Sequence, residues 1–384
     1  ASMGLIRETS ISRRFLLFSA ILTLLVGTRK GLFRIESDPV LGSWQLGGPF
    51  MVGNEIMHIA QSPGRPAHLL VSTNHPIWGA HIYASHDQGH NWQSLENTPH
   101  HKPGSFSPSL KAIWFLATMP QGHGVYAGID PAGLFYSPDA GNTWEPVKGL
   151  NNHPTRNRWE PARGGFSVHS IRIDPDDTRR MVASVSAGGV FRSEDGGQSW
   201  EPANRGVRAE NLPGEFPELG HNVHRVVQAP SEPSRLYRQC YNGLYRSDDF
   251  GLNWREITAG LPSDFGYALA VSPSCADTVF QVPESGSHMR AAVDGKLRVF
   301  RSDDGGGSWQ SASRGLPQEH AYVSVLRQAM CTDSRPDCGV YFGTTSGHVF
   351  GSPDGAGNWE LLASYLPRVL CVKALDLTQH GGDS

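Results

Sequence analysis

Three histidines hold near-equivalent places in this chain: His58 in "NEIMHIAQSP", His169 in "GGFSVHSIRIDP" and His224 in "GHNVHRVVQAP". Each stands five or six residues before a proline that closes an apolar stretch. Imidazoles converging from three fixed positions suit a divalent ion, zinc first and manganese or calcium as alternatives, with a fourth position left for water. Such an ion would lower the pKa of its water and polarise an ester, phosphoester or lactone oxygen. His75 ("TNHPIWG") and His221 are candidates to move protons, and Glu218 or Asp130 to orient or act as base. The same register carries Trp114 ("KAIWFLATMP") and Tyr267 ("FGYALAVSP") elsewhere, which with Trp78 and Trp159 would form an apolar substrate wall. The competing reading is structural: histidines bonded to water and neighbouring loops, and aromatics in ordinary packing.

A second chemistry needs no metal. Glycoside hydrolysis requires two facing carboxyl groups, one as acid and one as base or nucleophile. Glu55, Asp130, Glu160, Glu218 and Glu284 fall on suitable loops, but sequence gives no separations between them. A third reading is a binding or assembly ring without chemistry, presenting long loops such as 205–222 and 283–296 to a partner. The metal-dependent hydrolase is the leading expectation, with the metal-free glycosidase and the binding ring as its alternatives.

These residues must be positioned by a repeat. The octapeptide S-x-D-x-G-x-x-W occurs as "SHDQGHNW" (85–92), "SPDAGNTW" (137–144), "SEDGGQSW" (193–200), "SDDFGLNW" (247–254) and "SDDGGGSW" (302–309). "SPDGAGNW" (352–359) puts Ala356 in the glycine place, and "SDPVLGSW" (37–44) keeps only the Ser and Trp. The period of 48 to 56 residues between the serines indicates stacked supersecondary units. One period reads as four short strands, with the octapeptide in the turn from third to fourth. The predicted fold is therefore all-β: a seven-bladed propeller of four-stranded antiparallel blades. "RVLCVKALDL" near the C-terminus is a first strand without a blade, and "TLLVGTRKGLFRI" near the N-terminus lacks one. The two ends are expected to complete a single blade. The connections from fourth to first strand and from second to third then share one face, opposite the octapeptides, and carry the histidines and carboxylates above.

The octapeptides are Asp boxes, and the chain resembles the bacterial BNR-repeat propellers often labelled glycosyl hydrolase or exo-sialidase-like. "LLVGTRKGLFRIESD", "VYAGIDPAGLFYSPDAGNTWEPVKGLNNHP", "GLYRSDDFGLNWREITAGLPSDFG" and "GVYFGTTSGHVFGS" carry the resemblance, which covers roughly residues 22–376. A fold of this kind does not specify a function. True sialidases resemble six-bladed rings and open with F/Y-R-I-P; here "FRIES" places Glu36 where that proline belongs, and the seven repeats are one too many.

Composition narrows the partners. A net charge of −3 without a long basic run predicts no nucleic-acid binding, leaving a small-molecule substrate. The five cysteines form no CxxC and read as idle or buried thiols, although Cys331 and Cys338 could pair across a hairpin. Arg13 and Arg14 precede the apolar run Phe15–Val26, which is signal-like but too short to span a bilayer. Because its second half overlaps the first strand, residues 1–21 are expected to form a retained leader or extension, 22–376 the propeller and 377–384 a tail. A cytoplasmic location is expected, with export through the signal-like segment as the alternative.

Overall fold

The computed structural model describes residues 21–38, 42–101, 109–162, 165–209 and 212–376. The expected leader, apart from Ile21, and the expected tail lie outside them. Seven four-stranded antiparallel sheets follow one another around an axis. The innermost strands are Val369–Ala374, Glu55–Ser62, Ala112–Thr118, Val168–Ile173, Val223–Ala229, Gly266–Val271 and Met330–Thr332, for blades 1 to 7 respectively.

Closure follows the expected scheme. Val369–Ala374 pairs antiparallel with Thr23–Thr28, matching Leu24 with Ala374 and Val26 with Val372. The first blade therefore takes its inner strand from one end of the chain and its other three from the opposite end. The ring has no free inner edge at this junction. Thr23–Thr28 holds the second half of the signal-like run and is buried throughout. Among the described residues no helix is long and apolar enough to cross a membrane, and all five cysteines are free thiols.

The core is a succession of wedges between neighbouring blades rather than one central mass. One cluster joins Leu70 and Ile82 of blade 2 to Ile113 and Phe135 of blade 3. Another joins Val182 and Val190 of blade 4 to Val226 and Tyr245 of blade 5. Apolar side chains leave water between blades, while the inner strands surround a hollow axis where polar groups remain accessible.

The five Asp boxes that match the full octapeptide lock their turns with the same bonds. In 193–200, Ser193 Oγ donates to Asp195 Oδ1 at 2.9 Å and accepts the Gly197 amide at 2.9 Å. Asp195 also accepts the Ser199 amide and hydroxyl. Hydrogen bonds from Asn91 draw the Asp87 carboxyl down to about 2, and those from Ser308 do the same for Asp304. These carboxylates are committed to their own turns. Trp254, Trp309 and Trp359 reach back with their indole N–H to carbonyls of the preceding blade (Ala203, Ile257 and Ala312), so the box also ties blade to blade. The degenerate copy behaves differently: Ser37 and Trp44 are direct strand partners, and Ser37 Oγ accepts the Leu22 amide.

Ala356 stands at φ +73°, in the left-handed region that the other boxes fill with glycine. A Cβ there is strained by about 1–2 kcal/mol, partly offset by the greater unfolded-state freedom of glycine. Ala356→Gly is expected to raise stability by about 0.5–1 kcal/mol, read as a higher urea midpoint with unchanged slope.

Candidate active site

The inner strands begin on the face opposite the Asp boxes, and the three histidines sit near those beginnings. They do not converge. His58 lines a cavity in the lower channel, His169 one in the upper channel, and His224 a cleft on the upper face. The His58 ring lies on Phe115 of the next blade at 3.9 Å, and its Nδ1 accepts the Leu116 amide. His224 Nδ1 donates to the Gly266 carbonyl of the next blade at 2.7 Å, with Tyr267 against its ring. His169 has Ser170 Oγ 3.4 Å from Nδ1 and a buried Nε2 without a partner. Burial lowers all three pKa values, His169 to about 3, so neutral imidazoles stand in the core of the ring. Among the described residues no group of three or more His, Cys, Asp or Glu side chains could hold a metal ion. The expected ligand set is corrected accordingly: equal register brings these side chains to different cavities, and two of them are bonded to the adjacent blade.

The other expected residues divide. His75 Nδ1 accepts the Ile77 and Trp78 amides at 3.1 Å each, closing a turn instead of moving protons. Trp78 beside it is 74% exposed and Trp159 is 6% exposed, packed with His153 and Phe191, so neither forms the expected wall. Trp114 and Tyr267 do reach the upper channel, with the Arg327 guanidinium over both rings at 5.8 and 5.0 Å. His221 is corrected from proton carrier to fixed donor: burial lowers its pKa to about 4, and its Nε2–H donates to the Pro217 carbonyl at 2.6 Å. That bond, with Asn204 Nδ2 donating to the Glu218 carbonyl, fixes the loop carrying Glu218.

Two adjoining cavities make up the site. The upper-channel cavity, about 410 Å³, and the face cleft, about 840 Å³, share Tyr267, Arg290 and Arg327. Glu160 and Glu218, both exposed, line the cleft together with Tyr241 and Phe265. Glu55 is engaged by Arg29 at 2.8 Å and lines neither cavity. Asp130 is buried beneath the loop that follows Glu160: a Cβ on Gly165, which has φ +112°, would collide with its Oδ2. Burial raises the Asp130 pKa, and its Oδ1 has no partner.

Glu284 is fully buried, accepts the Ser324 hydroxyl at 2.5 Å and the Val325 amide at 3.2 Å, and is pushed by burial up to about 7. A carboxyl whose folded pKa lies above its unfolded one binds more protons when folded, so it costs stability as pH rises from about 4.5 through 7. Glu284→Gln is expected to be neutral near pH 4 and to gain stability over wild type by pH 8, up to about 3 kcal/mol. Paired thermal melts across that range measure it.

The arginines of the site were not among the expected residues. Arg290, Arg327 and Arg368 line the upper channel. Their signal in the sequence is a lone cation beside apolar residues, as in "SVLRQAM".

With seven four-stranded blades, six of them carrying an Asp box, and a polar cleft at one end of the channel, the chain is a seven-bladed β-propeller with Asp-box (BNR) repeats. Residues 244–257 match the BNR-Asp box repeat. Xyloglucanase Xgh74A of Acetivibrio thermocellus is 26% identical over 263 residues, 61% of this chain and 30% of that protein. The chain thus spans about a third of the length of this curated relative. Among solved structures, a Niastella koreensis GH74 enzyme matches with TM-score 0.60 and 18% identity over 88% of this chain and 52% of its own. A Lactobacillus plantarum protein matches with TM-score 0.60 and 14% identity over 93% of this chain and 100% of its own. At these identities the two structures bear on the fold alone.

Proposed function

We propose that this propeller is a metal-independent glycoside hydrolase acting on a xyloglucan-type polysaccharide or its oligosaccharides, with Glu160 and Glu218 as the carboxyl pair. The observation that carries this reading is their shared cleft. Two solvent-accessible carboxylates lie among Tyr241, Phe265 and Tyr267 on the face away from the Asp boxes. One carboxyl protonates the leaving oxygen while the other attacks the anomeric carbon or activates a water, and flat aromatic rings suit the apolar faces of sugars. Arg158 and Arg290 on the same walls supply donors for sugar hydroxyls. Similarity to a curated xyloglucanase supports the substrate class.

The test is release of reducing ends from xyloglucan oligosaccharides by the purified chain, with and without EDTA. The reading expects activity that survives the chelator. Activity abolished by EDTA and restored by zinc would return the metal-dependent alternative.

A further inference from the structure

The lower half of the channel, opening towards the Asp-box face, is a further cavity of about 560 Å³ that meets the upper one at Gln328. Three of its lining residues are cations from three different inner strands: Arg172, Arg225 and Lys373. Among the described residues no carboxylate lines it, although the protein as a whole carries a net charge of −3. Its two thiols do not compensate, because burial pushes Cys331 up to about 11 and Cys371 up to about 12, leaving both neutral.

Among the described residues the hydrogen bonds of the two arginines go to neutral oxygens alone. Arg172 donates to the Ile171 and Val226 carbonyls at 2.9 and 2.7 Å and lies over the Phe115 ring. Arg225 is 9% exposed and reaches past blade 6 to the Arg327 carbonyl and Gln328 Oε1, while its Nε is left without a partner. Lys373 is influenced by Asp376, an exposed carboxylate just beyond its strand. Burial lowers the pKa of all three, and mutual repulsion adds to it at Arg225 and Lys373. Gathering three positive charges, Arg225 buried and Arg172 and Lys373 half-buried, around water-accessible space is unfavourable unless an anion completes the site. Gln228 and Gln328, which also line the cavity, carry amide N–H groups as further neutral donors.

We propose that the lower channel binds a multivalent anion of the phosphate class, free or as part of a small phosphorylated molecule, between Arg172, Arg225 and Lys373. This site is independent of the upper cleft and of the hydrolase reading. Guanidinium groups suit phosphate oxygens through charge-assisted bonds, and Lys373 adds a point charge.

The experiment is calorimetric titration of the full chain with inorganic phosphate at fixed ionic strength, alongside thermal melts. The expected result is saturable binding at one site per chain and a Tm that rises with phosphate beyond the effect of matched sodium chloride. Lys373→Met should weaken the affinity at least tenfold; its ammonium has no hydrogen bond among the described residues, so the variant should fold. Arg172→Gln should weaken it similarly, whereas Glu160→Gln/Glu218→Gln should leave it unchanged. Absence of saturable binding, a Tm response equal to that of chloride, or undiminished affinity in a folded Lys373→Met variant would overturn the proposal.

Discussion

Glutamine in place of Glu218 is expected to lower kcat/KM on xyloglucan oligosaccharides by about 10²–10⁴-fold with Tm unchanged. The side chain is exposed in the cleft and its loop is held through the backbone, by Asn204 on its own carbonyl and His221 on that of Pro217. The substitution therefore removes a titratable group without unpacking the loop. Glu160→Gln should behave alike, because its carboxyl also lines the cleft and Trp159 before it is anchored by its own indole N–H to Thr155. A loss made in the transition state appears as a fall in kcat at nearly constant KM. If KM alone rises, these residues bind sugar and do not perform the chemistry.

Truncation after Pro367 is expected to abolish cooperative folding. It removes Val369–Ala374, the innermost strand of the first blade, and with it five residues of at most 5% exposure: Val369, Cys371, Val372, Ala374 and Leu375. Burying a valine or leucine fully contributes about 1.5–3 kcal/mol. The three largest of these residues therefore reach about 5–9 kcal/mol, comparable with the whole stability of an ordinary domain. The cut also leaves Thr23–Thr28 with an open inner edge and removes the bridge from Cys371 to Gln328 of blade 7. Loss of a sharp unfolding transition in calorimetry is the expected readout. A truncated chain that melts cooperatively near the wild-type temperature would mean that the ring does not depend on this closure.

The fold was legible because its signal is local and repeated. Asp, Gly and Trp at fixed offsets are what a tight turn and its inter-blade anchor demand, so each box marks a blade in the residue order alone. The site was legible only in part. Repeat register correctly placed Trp114 and Tyr267 beside the upper channel, but it does not say which way a side chain leaves a strand. Met57 lines the upper cavity while its neighbour His58 lines the lower one and bonds to the next blade. Successive strand residues face opposite ways, and the bulge between Ile56 and His58 disturbs even that alternation. Arg172, Arg225 and Lys373 escaped notice for a related reason: a single cation in an apolar strand looks incidental until seven strands are wrapped about one axis. Glu160 and Glu218 stood among five equal candidates, and only the folded loops bring them to one cleft.

The proposed reaction is hydrolysis of a glycosidic bond in the upper cleft by its own carboxylates. Its most direct measurement is reducing-end release from xyloglucan oligosaccharides by EDTA-treated wild type beside the folded Glu160→Gln/Glu218→Gln variant. Turnover by the wild type and none above background by the variant is the expected result. Turnover retained by the variant, or none by the EDTA-treated wild type, would contradict it.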